Sequence, residues 1–203
     1  MKIIAVGRNY IEHANELKNA IPSEPLIFLK PDTALLKDNE NFYYPDFSKD
    51  IHYELELVLR ICKEGKHVSE KFAANYYDQI GLGVDFTARD IQQKHAEKGL
   101  PWELAKAFDH SAPISKMIPK EEFSDLYTLN FFLDKNNERV QHGNTSKLIF
   151  SFEKVISFVS QYITLRKGDL IFTGTPAGVG PVQVGDHLVG YLEERKLLDF
   201  HIK

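Results

Sequence analysis

The segment His52-Tyr53-Glu54-Leu55-Glu56-Leu57-Val58-Leu59-Arg60-Ile61 alternates almost throughout and sets two carboxylates two residues apart. In a strand, Glu54 and Glu56 point to one face, roughly 7 Å apart at the backbone, and Leu55, Leu57, Leu59 and Ile61 point to the other. Two like charges side by side in a protein interior repel each other and lose hydration, and a divalent cation relieves both penalties. The same alternation also describes a half-exposed strand whose glutamates face water. Both readings stand on these residues alone.

A third acid follows. Gly81-Leu82-Gly83-Val84-Asp85 reads as a short buried strand ending in a carboxylate, and Thr87-Ala88-Arg89-Asp90 as a helix start with Thr87 as its cap. Glu54, Glu56 and Asp85 form an all-oxygen set that suits a hard cation, Mg²⁺ or Mn²⁺, rather than Zn²⁺, and leaves octahedral positions for water or substrate. His52 shares the glutamate face, but no second histidine stands at ligand spacing from it, which weighs against an iron site.

Other groups have two readings each. His13 and Glu16 are neighbours on one helix face, where a carboxylate can orient an imidazole for base chemistry, or where both simply meet solvent. Lys106, between Trp102 and Phe108, is either a desolvated ammonium aimed inward or a snorkelling surface lysine. Arg89 and Gln92 share a helix face just past Asp85 and could reach an anion, or solvent. Gly174, Gly178 and Gly180 lack the lysine of a phosphate loop and fit a tight turn between strands. Gln141 and His142 have no role beyond lining a pocket or a dimer contact.

The elements that must position these groups are mostly short strands. The expected strands are Ile3 to Val6, Leu26 to Leu29, Phe42 to Tyr44, Ile51 to Cys62, Gln79 to Asp85, Leu126 to Leu133, Glu138 to Gln141, Leu170 to Thr173, His187 to Leu192 and Lys196 to Ile202. Asn136-Asn137 marks a hairpin turn. Helices are expected from Asn9 to about Lys18, from Thr87 to Lys98 before Gly99, and from Ser151 to Ile163 with one apolar face. The 203 residues, 43% hydrophobic and without a linker or repeat, predict one domain over 1–203 and a strand-rich α+β fold with a few covering helices.

A net charge of −4 with dispersed Lys and Arg argues against nucleic acid and acidic membranes as partners. Cys62 is the only cysteine, so no internal disulfide forms. The start of the chain is too short in apolar residues for a signal peptide and leaves no room for a transit peptide, and no stretch is long enough to span a membrane, so a cytoplasmic protein is expected.

Five segments in order resemble the fumarylacetoacetate hydrolase family. They are Gly7-Arg8-Asn9-Tyr10 with His13 and Glu16, the H-Y-E-L-E-L strand, D-F-T-A-R-D-I-Q from Asp85 to Gln92, G-L-P-W-E-L-A-K-A-F-D from Gly99 to Asp109, and T-G-T-P-A-G-V-G-P from Thr173 to Pro181. The chain is most similar to the short acylpyruvase and oxaloacetate decarboxylase branch. The resemblance implies a mixed β-roll or sandwich, a homodimer, and Mg²⁺ or Mn²⁺ held by Glu54, Glu56 and Asp85. It also implies a lid dyad of His13 and Glu16 that activates water, with flexible flanks read at Asn19 to Glu24. Lys106 would stabilise an enolate or oxyanion beside the metal. Arg89 and Gln92 would contact substrate, and Thr175 with nearby backbone amides would bind its carboxylate.

The implied reaction is cleavage of the C3–C4 bond of acylpyruvates such as acetylpyruvate or fumarylpyruvate, giving pyruvate and a carboxylic acid. Oxaloacetate decarboxylation, tautomerisation, or isomerisation of a 2-oxo diacid would use the same electron sink at C3. A non-catalytic metal- or carboxylate-binding protein is the alternative of another class. The joint presence of His13, Glu16 and Lys106 weighs against it.

Overall fold

The computed structural model describes residues 1–16 and 20–203. Leu17 to Asn19 fall outside the described residues, and with them the expected end of the first helix and the start of the expected lid flank.

The Leu55–Ile61 strand organises the fold. It lies inside a six-stranded sheet in the order Ile27–Lys30, Ile3–Val6, Leu170–Phe172, Leu55–Ile61, Tyr77–Val84 and Ile118–Pro119. Within this sheet the Ile3–Val6 and Leu170–Phe172 pair is parallel and the other neighbours are antiparallel. A second, antiparallel sheet runs in the order Glu138–Asn144, Asn130–Lys135, His187–Leu192 and Arg195–His201. Its strands pack on Leu55–Ile61 and Tyr77–Val84.

The main core therefore combines Leu57, Leu59 and Leu82 with Phe131, Leu133 and Phe200. Val58 points to the opposite face, into a smaller cluster with Ile3, Ala5 and Phe172. The strand is thus buried on both sides, with Arg60 alone exposed, and the half-exposed reading of its Glu/Leu alternation is overturned. Each fully buried Leu contributes about 1.5–3 kcal/mol relative to exposure, so this strand is a rigid foundation.

The single strand expected over Ile51 to Cys62 is broken at Glu54. Ile51–Tyr53 leaves to pair with Thr87–Ala88 and Gly180–Pro181, while Leu55 resumes against Val84. Gly83 sits opposite Glu56, and a Cβ there would meet Phe172 at 2.4 Å, so only glycine admits this crossing.

Helices are few. Phe152–Tyr162 starts at Ser151, whose hydroxyl accepts from Lys154 N at 3.2 Å, and buries Val155, Ile156 and Val159 as its apolar stripe predicts. Arg89–Glu97 ends before Gly99, which adopts φ +64°. Thr87 does not cap it. Strand pairing with His52 takes Thr87 out of the cap position, and Ala88 stands there without a side-chain bond. The Phe42 to Tyr44 segment forms an isolated bridge to Ile202 rather than a strand, and Glu103–Lys106 is a short helix that the residue pattern did not signal. Among the described residues, no helix is long and apolar enough to cross a membrane.

Candidate active site

The break at Glu54 and the strand-end position of Asp85 bring three carboxylates together. One oxygen from each of Glu54, Glu56 and Asp85 lies within 4.8 Å of the others, and all three residues are buried. The backbone organises them directly. Asp85 N donates to the Glu54 carbonyl at 2.8 Å, and Gly174 N donates to Glu56 Oε2 at 2.6 Å. Gly174 has φ +103°, and a Cβ there would stand 2.6 Å from Asn9 Cβ, so both its conformation and its contact require glycine. Asn9, wholly buried, spans the same loop by donating to the Thr173 and Phe150 carbonyls at 2.8 and 3.0 Å.

Two buried lysines face the acids. Lys106 Nζ donates to Glu54 Oε2 at 2.8 Å, Asp85 Oδ2 at 2.7 Å and Thr87 Oγ1 at 2.5 Å, which uses all three ammonium protons. The surface-snorkelling reading of Lys106 is overturned. Lys30, which sequence reasoning missed, is wholly enclosed, with Nζ 2.7 Å from Asp85 Oδ1. Its hydrogens are directed instead at the Lys106 and Ser111 carbonyls and the Ser111 hydroxyl, leaving Asp85 Oδ1 without a hydrogen bond. The charges act unequally. Burial pushes the Glu54 carboxyl up, but Lys106, Arg89 and His13 outweigh it and hold Glu54 below the usual carboxylate range. Burial and the Asp85 charge push Glu56, which has no salt-bridge partner among the described residues, well above that range.

A cavity of about 330 Å³ opens on this cluster, with Glu54, Lys106, Arg89, Gln92, His13 and Arg8 in its wall. Arg89 donates to Glu54 Oε1 and to Gln92 Oε1, each at 2.6 Å, so these two residues brace a carboxylate rather than forming a solvated helix face. Arg89 Nε is a buried donor with no partner among the described residues. His13 Nδ1 lies 3.2 Å from Glu16 Oε2, on the Ile11–Glu16 helix. Glu16 Oε1 accepts from Gly178 N at 3.0 Å, which docks this helix on the glycine-containing loop. Two of that loop's amides are thus taken by Glu56 and Glu16, and are not free for a substrate carboxylate as expected.

Thr175 is buried on the same loop and joined to Gln141, whose amide also reaches Leu55. His52 turns away to Asp50, 2.9 Å distant, and His142 lies exposed against Phe132. Tyr10 adds a buried hydroxyl with no partner among the described residues, its ionisation pushed far up by burial and by Glu56.

The donor set fits a hard divalent cation, since among the described residues it offers oxygen alone, a Glu56 without a counter-ion, and an Asp85 oxygen without a hydrogen bond. The sequence model described as fumarylacetoacetate (FAA) hydrolase C-terminal matches residues 2–201. The chain belongs to the fumarylacetoacetate hydrolase family.

Its relatives span more than one reaction of this family. The mitochondrial oxaloacetate tautomerase of Homo sapiens is 45% identical over 186 residues, covering 92% of this chain and 84% of the relative. The mitochondrial oxaloacetate decarboxylase of Dictyostelium discoideum is 44% identical over 185 residues, covering 91% and 85%. The fumarylpyruvate hydrolase of Pseudomonas aeruginosa, solved in complex with Mn²⁺ and pyruvate, superimposes with a TM-score of 0.95 at 34% identity, covering 100% of this chain and 89% of that one.

Proposed function

We propose that this chain is a divalent-metal-dependent enzyme that catalyses keto–enol tautomerisation of oxaloacetate, by proton transfer at C3. The observation that carries the reading is the charge arrangement. Glu54, Glu56 and Asp85 are already matched in number by Lys30, Lys106 and Arg89. A dication held by the three carboxylates therefore leaves a surplus of two positive charges beside a small cavity, and a dianion neutralises it. Arg8 in the cavity wall adds to the preference for a diacid. Oxaloacetate is a compact dianionic 2-oxo acid, and the tautomerase relatives at 39–45% identity support it.

Glu54, Glu56 and Asp85 would hold Mg²⁺ or Mn²⁺, which supplies Lewis acidity toward the 2-oxo acid. The chain's own residues divide the remaining work. With Glu16 accepting from Nδ1–H of His13, the neutral imidazole would carry its lone pair on Nε2, the atom that would take the C3 proton and deliver it to the enolate oxygen. The ammonium of Lys106 steadies the developing negative charge, although it must give up one of its three bonds to touch substrate directly. Thr175 binds a substrate carboxylate, and Arg89 contacts substrate through its unpartnered Nε.

Acylpyruvate hydrolysis is the second reading. It is favoured by the same His13–Glu16 pair, which could activate water, and by the likeness to the fumarylpyruvate hydrolase. The two separate in one comparison with Mn²⁺ present: decay of the oxaloacetate enol followed by absorbance, against release of acetate from acetylpyruvate. Faster enol decay without matching acetate release is expected. Efficient acetylpyruvate cleavage with enol decay at the uncatalysed rate would make the chain a hydrolase instead.

A further inference from the structure

Gln141 lies on the four-stranded sheet, yet its wholly buried side chain touches both of the segments that build the site. Its Oε1 accepts from Leu55 N, the amide between the two glutamates, at 2.9 Å. Its Nε2 donates to Thr175 Oγ1 at 2.8 Å and to the Pro176 carbonyl at 3.0 Å. The orientation of a buried amide is normally a matter of inference from its surroundings. Here two surroundings decide it independently. Leu55 N–H can only donate, so it requires the amide oxygen. The Pro176 carbonyl can only accept, so it requires the amide nitrogen.

That orientation settles the state of Thr175. Because an amide nitrogen cannot accept, the Thr175 oxygen must be the acceptor of the pair, and its own proton has to point elsewhere. Thr175 makes no bond as a donor among the described residues, although it is 3% exposed. A buried hydroxyl with an unspent proton is costly unless a ligand takes it. We propose that Gln141 is a positioning residue that holds the Thr175 hydroxyl as an obligate donor to the substrate carboxylate, and so favours anionic ligands over neutral ones. This rests on the reading above that Thr175 binds that carboxylate.

The test uses the Mn²⁺-loaded protein and oxalate as the probe, with affinities from calorimetry, so that it does not depend on which reaction the enzyme performs. Gln141→Met removes the amide at similar length, Thr175→Val removes the hydroxyl, and Thr175→Ser restores one. Thr175→Val and Gln141→Met should each weaken oxalate at least about tenfold, the scale of one hydrogen bond to a charged group. The double variant should be no weaker than Thr175→Val, Thr175→Ser should bind normally, and Mn²⁺ affinity should stay within about threefold of the parent.

If Gln141→Met does not fold, Gln141→Glu carries the test through the same cycle. Plain repulsion between a carboxylate at 141 and oxalate would persist in the Thr175→Val background, whereas loss of the hydroxyl's direction would not. Normal oxalate binding in the Gln141 variants, with Thr175→Val impaired, overturns the proposal and leaves the carboxylate reading intact. Normal binding in Thr175→Val overturns that reading and the proposal together. A parallel loss of Mn²⁺ affinity in the Gln141 variants also overturns it, since Gln141 would then act by placing Glu54 and Glu56.

Discussion

The carboxylate cluster and the His13–Glu16 helix face each other across one cavity but are built to different standards. Glu54, Glu56 and Asp85 sit at or next to the ends of buried strands, and the two lysines that hold Glu54 and Asp85 are themselves enclosed. The histidine, itself buried, rides on the short Ile11–Glu16 helix, which among the described residues is tied down by the 3.2 Å contact of His13 to Glu16, whose side chain is 33% exposed, by the bond that Gly178 N donates to Glu16, and by an exposed Lys147–Glu12 ion pair. The difference teaches a division of labour. Groups that must hold charge in a dry interior are over-determined, because an uncompensated buried charge is expensive. A group that moves a proton needs only correct placement at the moment of reaction, so it can sit on a lighter support.

The comparison breaks most clearly at Lys106. Lys106→Met leaves Glu54 and Asp85 short of a buried partner, and stability without metal should fall by about 3–5 kcal/mol. Turnover should fall by about 10²-fold or more through loss of the ammonium. Thermal unfolding with and without Mn²⁺ reads the first effect, and part of the loss should return when the cation takes up the charge. A variant as stable as the parent in EDTA would show that the cluster is not held by its lysines.

His13→Ala sharpens the other side. Proton transfer should slow by about 10²-fold, the usual scale for a general base, while Mn²⁺ affinity and the unfolding midpoint stay close to the parent values. Equal losses in turnover and in metal affinity would place His13 with the cluster rather than opposite it. The smallest effect should come from outside both regions. Ser151→Ala removes a helix cap at a cost of about 1 kcal/mol and should leave turnover unchanged, which calibrates how far a purely structural loss reaches the site.

How much of this was legible in the sequence depended on whether the signal was local. The Phe152–Tyr162 helix, the hairpin at Asn136-Asn137 and the Leu55–Ile61 strand bearing Glu56 follow from periodicity, caps and turn residues within a few positions, whereas the break at Glu54 does not. The carboxylate trio was only half legible: the Glu/Leu alternation left a cation site and a solvated strand both open, and the family resemblance, not the spacing, chose between them. Lys30 and Gln141 were not readable, because their partners lie 55 and 86 residues away, Asp85 and Leu55 respectively, and nothing local marks a lysine or glutamine as buried. Thr87 shows the reverse failure. Its T-x-x-D context is a sound local cap signal, overruled by strand pairing with His52 and by the ammonium of Lys106.

The central claim is that the buried trio is a cation site, and titration of metal-free protein with Mn²⁺ tests it most directly, comparing the parent chain with Glu56→Ala. The parent should bind one Mn²⁺ per chain. Glu56→Ala should stay folded, because the residue it removes has no cationic partner to strand among the described residues, and should lose Mn²⁺ affinity by more than the roughly 10–100-fold expected for an outer-shell change. Equal affinity in the two proteins would contradict the account, since the cation would then lie somewhere other than between Glu54, Glu56 and Asp85.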